Sequence, residues 1–282
     1  MDKYRLLRTR VAAELPAVRL SEPMAVSDEM LALAHDPDYI ARLVCGDLSR
    51  KEQTAIGFPW SPQMVERSRR SAGATVMACE KALTEGVAVN LAGGTHHAHA
   101  DRGEGFCCFN DAVVASRILQ HQHGVGAIAI IDLDVHQGNG TATMTEHDPR
   151  IFSLSIHGAT NYPFRKARSS LDIDLAEGTQ DADYLDALDR ALATLADRFD
   201  PEFIIYLAGA DPFSDDRLGR LGLSKSGLQA RDQRVFAFAE RGALPVAVAM
   251  AGGYARTITD TVDIHFNTVS CALQYWRRDM NI

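Results

Sequence analysis

At 282 residues, with 46% hydrophobic and 23% charged side chains, the chain has the make-up of a folded globular protein, with room for one large α/β domain or two small ones. Its formal net charge of -8 argues against a nucleic-acid backbone as partner and suits neutral or cationic substrates. No apolar run is long enough to span a membrane, the opening Met1-Asp-Lys-Tyr-Arg5 lacks a secretory apolar stretch, and the five cysteines form neither a disulfide framework nor a C-x-x-C pair, so reduced thiols in a cytoplasmic protein are expected.

The first part of the chain is helical. Apolar spacing predicts a helix over 5–15, and Ser27 and Asp36 read as caps of two short helices, the second opening with Pro37. Ser61-Pro62 opens a long helix to about residue 84, with Met64, Val65, Ala72, Val76, Cys79 and Leu83 as its apolar contacts. From residue 86 the pattern alternates. Strands are predicted at 87–91, 127–131, 151–156, 171–175, 203–207 and 246–250. Helices are predicted at 110–121, 140–146, 183–199, 224–241 and 259–276. Strands separated by helices imply β-α-β units and a mostly parallel sheet covered on both faces. No repeat, low-complexity tract or linker interrupts the chain, so residues 1–282 are read as one domain.

Chemistry collects after the strands. The apolar run 127–131 reads as a strand buried on both faces, followed by Asp132, Asp134 and His136 alternating with Leu133 and Val135. In extended backbone such alternation turns all three polar groups to one side. His96 and His97 follow the first strand, His157 the third, Asp211 the fifth and Tyr254 the last, and in an open parallel sheet the ligand crevice lies beyond these carboxyl ends. Five strand ends are thus expected to meet at one rim. Asp134, His136 and Asp211 make a two-carboxylate, one-imidazole set for a divalent ion, suited to zinc as Lewis acid and water activator and also to iron(II). The adjacent His96 and His97 suit proton transfer beside such an ion, and Gly93 and Gly94 allow close backbone approach. Tyr254, after Gly252 and Gly253, is placed to donate to a developing oxyanion.

These residues resemble a known family. His96-His97-Ala98, then Asp101-Arg-Gly-Glu-Gly-Phe-Cys-Cys-Phe-Asn-Asp111, Asp132-x-Asp134-x-His136, Gly209-Ala-Asp211 and Gly252-Gly-Tyr254 are similar, in order and spacing, to the zinc-dependent histone deacetylases. Gln137-Gly-Asn-Gly140 and Asp216-Arg-Leu-Gly219 resemble the class IV branch and its bacterial relatives. The resemblance implies a single-domain arginase/deacetylase α/β fold and hydrolysis of an acyl group from the amine of lysine or a related cationic amine. It implies one zinc held by Asp134, His136 and Asp211, with His97 as base and then acid, His96 as its electrostatic partner, and Tyr254 as donor to the carbonyl. Gly105, Phe106 and Tyr162, with Gly252 and Gly253, would wall a narrow substrate channel. Asp132, the Ser155 side chain and backbone groups of Asp134, His136 and Ile156 would hold a structural potassium ion.

Two departures from the family pattern stand out. Where many members orient the second histidine with a carboxylate, this chain has Asn139, a neutral amide that cannot stabilise an imidazolium as Asp132 does for His96. His97 is therefore expected to be the more readily neutral of the pair. Relatives also carry a further strand before the segment resembling Met1 to Leu7, so the sheet is expected to lack that edge or the start to be truncated. Two other readings are a binuclear manganese ureohydrolase, for which Gln137 and Asn139 are poor supports, and a non-catalytic acyl-lysine or zinc-binding protein, which predicts a lost catalytic residue where none is lost. Nothing in the sequence names the acyl chain or sets an oligomeric state.

Overall fold

A computed structural model describes residues 2–279, so Met1 of the opening motif lies outside the described residues. Six strands form one sheet in the order β1-β6-β5-β2-β3-β4, and every pairing is parallel. The strands are β1 (Val87–Asn90), β2 (Ile128–Asp132), β3 (Ile151–Gly158), β4 (Leu171–Leu175), β5 (Phe203–Leu207) and β6 (Val246–Ala249). The central β2 and β5 are buried along their whole length, as expected of a strand sandwiched between helical layers.

One face is covered by α5 (Pro62–Glu85) and α6 (Asp111–Gln122), and the other by α8 (Asp181–Arg198), α9 (Lys225–Gly242) and α10 (Ile258–Asp279). Each face has its own apolar core: Ile128, Ile130, Ile205 and Leu207 point to one, Ala129, Ile131, Ile204 and Tyr206 to the other. The strand alternation assigns these residues to their layers. The remaining helices are α1 (Asp2–Glu14), α2 (Asp28–Leu31), α3 (Pro37–Cys45), α4 (Arg50–Ile56) and α7 (Asn139–Thr145). Ser27, Asp36 and Ser61 do cap helices, each accepting a hydrogen bond from a backbone N–H of the first turn.

Three details depart from the sequence reading. Helix α4 was not expected, although Ser49 and Glu52 form a reciprocal capping box; its segment buries only Ile56 and so carries no apolar period. The strand expected at 151–156 continues to Gly158, which places His157 inside the sheet. And β2 ends at Asp132, so Asp134 and His136 stand on a bend and not on continued extended backbone. No helix among the described residues is long and apolar enough to cross a membrane, and all five cysteines are free.

Candidate metal centre

Because β2 stops at Asp132, the D-x-D-x-H run divides its labour. Asp132 turns to the histidine pair, its Oδ2 lying 2.6 Å from His96 Nδ1, while Asp134 and His136 turn to Asp211 beyond the neighbouring strand β5. Leu133 and Val135, between them, are fully buried in the core below. The Asp134, His136 and Asp211 ligand atoms lie within 4.8 Å of one another, and among the described residues this trio is the grouping that can hold one ion.

Its orientation is fixed from behind. Asp134 Oδ1 accepts from the His136 backbone N–H at 2.9 Å, and its Oδ2 from Gly252 N–H at 2.8 Å. Asp211 Oδ1 accepts from Val135 N–H at 2.9 Å. That leaves Asp211 Oδ2 fully buried without a hydrogen-bond partner, 3.3 Å from His136 Nδ1. A buried, orphaned carboxylate oxygen costs free energy unless a cation or donor meets it. The donor set of two carboxylates and one imidazole therefore fits a zinc-class ion, with positions left for water and substrate.

Electrostatics say the same. Burial raises Asp211, and the nearby Asp134 adds to this, so that its pKa reaches about 6. Burial opposes charge on His136, but Asp134 and Asp211 outweigh it and lift its pKa to about 10. Burial likewise opposes ionisation of Asp134, yet His96 and His136 hold it below the usual carboxylate range. Two carboxylates buried together call for positive charge between them.

Beside this trio stand the paired histidines, their ring centroids 4.2 Å apart. The loop from β1 that carries them is held by the fully buried Asp111, which accepts from Gly94 N–H at 2.8 Å and Thr95 N–H at 2.7 Å. His96 faces Asp132, and His97 Nδ1 lies 2.7 Å from Asn139 Oδ1. Burial opposes charge on His96, but Asp132 and Asp134 prevail and raise its pKa to about 9. For His97 burial dominates and the neighbouring His96 and His136 reinforce it, so its pKa falls well below the ordinary histidine value. His97 is the neutral member, as the exchange of a carboxylate for Asn139 requires.

At the mouth, the Tyr162 ring meets His97 edge-on at 5.0 Å, and a Cβ on Gly105 would come within 2.6 Å of His97 Cδ2. Phe106 is 48% and Tyr254 44% exposed, so both stand on the rim. Burial raises the Tyr254 phenol, with Lys3 opposing, which keeps it an O–H donor. Four strand ends thus meet here, not five. His157 is fully buried elsewhere, with Nδ1 2.9 Å from Ser155 Oγ and Nε2 2.9 Å from Asp174 Oδ1.

Ser155 and Asp132 are register partners, which sets the residues of the expected potassium site side by side with Ile156 next in β3. Both Asp132 carboxylate oxygens and the Ser155 hydroxyl also have protein partners: His96, the Asp134 N–H and His157.

Sequence reasoning passed over three supports of the site. Lys3 is buried, and its Nζ donates to Gly253 O at 3.1 Å and Ala251 O at 3.4 Å while lying 4.8 Å from the Tyr254 ring centroid. Its spacing with Leu7 and Val11 on one buried face of α1 was the available signal. Asp216 accepts from Tyr254 N–H at 2.6 Å, and fully buried Arg231 donates to Gly209 O at 2.5 Å and Leu133 O at 3.3 Å.

The comparisons with known proteins agree with this geometry. A histone deacetylase domain matches residues 2–269. The chain is 39% identical over 267 residues to an uncharacterized protein of Picosynechococcus sp., covering 94% of this chain and 89% of that one. It is 33% identical to Histone deacetylase 2 of Arabidopsis thaliana (86% of this chain) and 30% identical to a histone deacetylase-like amidohydrolase of Pseudomonas aeruginosa (84%), spanning 66% of the length of each. Among solved structures, an HDAC homolog from Aquifex aeolicus superposes with a TM-score of 0.80 at 25% identity, covering 98% of this chain and 77% of that one. With its parallel sheet, its acid–imidazole trio and its paired histidines, the chain belongs to the histone deacetylase domain family.

Proposed function

We propose that this chain is a metal-dependent amidohydrolase that removes an acyl group, acetyl or longer, from the amine of lysine or a related cationic amine, with residues 1–282 as one catalytic unit. The observation that carries the reading is the orphaned Asp211 Oδ2 in a buried acid–imidazole trio beside a neutral histidine. Asp134, His136 and Asp211 would hold one zinc or similar ion, whose chemistry is to polarise the amide carbonyl and acidify water. Neutral His97 takes a proton from the attacking water and later passes it to the departing amine. His96, kept charged by Asp132, stabilises the negative charge that develops nearby. Tyr254 donates its hydroxyl to the carbonyl oxygen as that charge grows. Gly105, Phe106 and Tyr162 admit a slender side chain, and the acidic balance of the protein suits a cationic leaving amine. Five free thiols fit a reducing setting such as the cytoplasm.

The test is a panel of lysine substrates bearing acetyl to long-chain acyl groups, together with an acetylated polyamine, assayed with zinc-loaded protein and with Asp211→Ala. Hydrolysis by the parent and loss of both metal and activity in the variant are expected. Two equivalents of tightly bound manganese, or metal fully retained by Asp211→Ala, would refute the reading. Binding of acyl-lysine without turnover would favour the non-catalytic one.

A further inference from the structure

Behind Asn139 lies a second layer of polar groups: Thr143, His99 and Glu104. Thr143 Oγ1 lies 3.0 Å from Gly140 O and 2.8 Å from His99 Nδ1, and a hydroxyl that donates to that carbonyl accepts from His99 Nδ1. In that arrangement His99 carries its proton on Nδ1 and offers a lone pair at Nε2. Burial lowers the pKa of His99, in keeping with a neutral ring. Asn139 Nδ2 lies 3.2 Å from that Nε2 and donates to Glu104 Oε1 at 3.1 Å. Two acceptors, an imidazole lone pair and a carboxylate, thus both claim the Asn139 amide nitrogen. The amide oxygen is left facing His97, and an oxygen there accepts only from a protonated Nδ1.

We propose that Glu104 and His99 are positioning residues that hold the Asn139 amide with its oxygen toward His97, and thereby keep His97 in its Nδ1–H tautomer with Nε2 free to accept a proton. The assignment rests on the amidohydrolase reading for its consequence in catalysis, but not for the tautomer itself. An aspartate needs no such help, because either oxygen accepts. An asparagine can be turned end for end, and then its NH₂ would face Nδ1 and draw the lone pair there, leaving Nε2 protonated. Glu104 has a second duty that must be separated from the first, since Tyr162 on the channel wall also donates to its Oε1. With Glu104 at 22% side-chain exposure, a substitution of similar length is tolerable to the fold.

The experiment is ¹⁵N NMR of histidine-labelled protein without substrate, with the His97 signals assigned through His97→Ala. The variants are Glu104→Met, which removes the acceptor at similar length, His99→Phe, the two combined, and Tyr162→Phe. The parent and Tyr162→Phe should show the His97 proton on Nδ1. The combined variant should show a share of Nε2–H, and on the best acyl-lysine substrate its kcat should fall about tenfold to a hundredfold with KM within about twofold, the range for residues acting through another group. If the His99→Phe chain does not fold, Glu104→Met alone decides, with a smaller shift in the same direction. Retention of the pure Nδ1–H form in the folded variants overturns the proposal, as does the same tautomer shift in Tyr162→Phe, or a fall in kcat without a tautomer change. A parent that hydrolyses no acyl-amine would instead refute the function and leave the tautomer result standing.

Discussion

Gly252 is the most exacting position in the metal centre, and Gly252→Ala is the substitution that measures how closely the trio is packed. Its φ lies outside the left-handed range that disfavours side chains, so the effect is steric. The added Cβ would lie 2.0 Å from Asp211 Oδ2 and 2.6 Å from Asp134 Oδ2. Even a 3.0 Å approach requires the Asp211 oxygen to retreat by about 1 Å, whereas a metal–ligand distance tolerates about 0.2 Å. Zinc affinity is expected to fall at least about a hundredfold, equivalent to about 2.7 kcal/mol. Competition against a chelating chromophore reads this directly. Thermal unfolding with zinc and with chelator reads it independently, because the variant should lose most of its metal-linked stabilisation. The metal-free protein should lose no more than the about 1–3 kcal/mol of an overpacked site. Gly126→Ala, whose Cβ would meet Glu202 at an ordinary 3.4 Å, should bind zinc as the parent does. Parent-like affinity in Gly252→Ala would mean that Asp211 is not a ligand in the arrangement described.

Tyr254→Phe should keep its metal and fold while kcat drops about a hundredfold to a thousandfold, the usual worth of one oxyanion donor; an unchanged kcat assigns that role elsewhere. Asn139→Asp places a carboxylate 2.7 Å from His97 Nδ1 and so raises a pKa that is depressed in the parent, and the acidic limb of kcat/KM against pH should move up toward neutral, a limb that stays in place counting against His97 as base. His35 accepts from Asn110 N–H at 2.9 Å and is held by burial at a pKa of about 4, so the unfolded chain takes up its proton at higher pH than the folded one. That contribution is complete above about pH 6.5 and is lost as pH falls toward 4, which amounts to about 2 kcal/mol between pH 7 and pH 5. Urea unfolding of His35→Gln at the two pH values should show a slope reduced by that amount, and an unaltered slope would refute the assignment.

Strands β2 and β5 were legible because each is a short apolar run followed at once by punctuation: Ile128 to Ile131 before Asp132, Phe203 to Leu207 before Ala208-Gly209. Their burial on both faces follows from composition alone. The histidine partners were legible too, through the family resemblance, in which Asp132 and Asn139 stand at the two histidine-orienting positions. What escaped was carried by groups distant in sequence or lacking a period. Lys3 and Gly253 are 250 residues apart, and no local pattern joins them. His157 looked like a strand-end ligand until β3 proved long enough to keep it in the sheet, with Nδ1 2.9 Å from Ser155 Oγ and Nε2 2.9 Å from Asp174 Oδ1. The chain's departure from extended geometry after Asp132 was invisible because the burial of Leu133 and Val135 mimics a continuing strand.

The grip of Lys3 on the carbonyls of Ala251 and Gly253 has a consequence for how the molecule is made. During synthesis the first helix leaves the ribosome long before the loop that carries Tyr254 exists. Its buried lysine has no partner until nearly the whole chain is out, and contacts of such span are slow to form. The sheet can therefore assemble first, with Asp134 and Asp216 holding the loop after β6 by its Gly252 and Tyr254 N–H groups before Lys3 closes on the carbonyls.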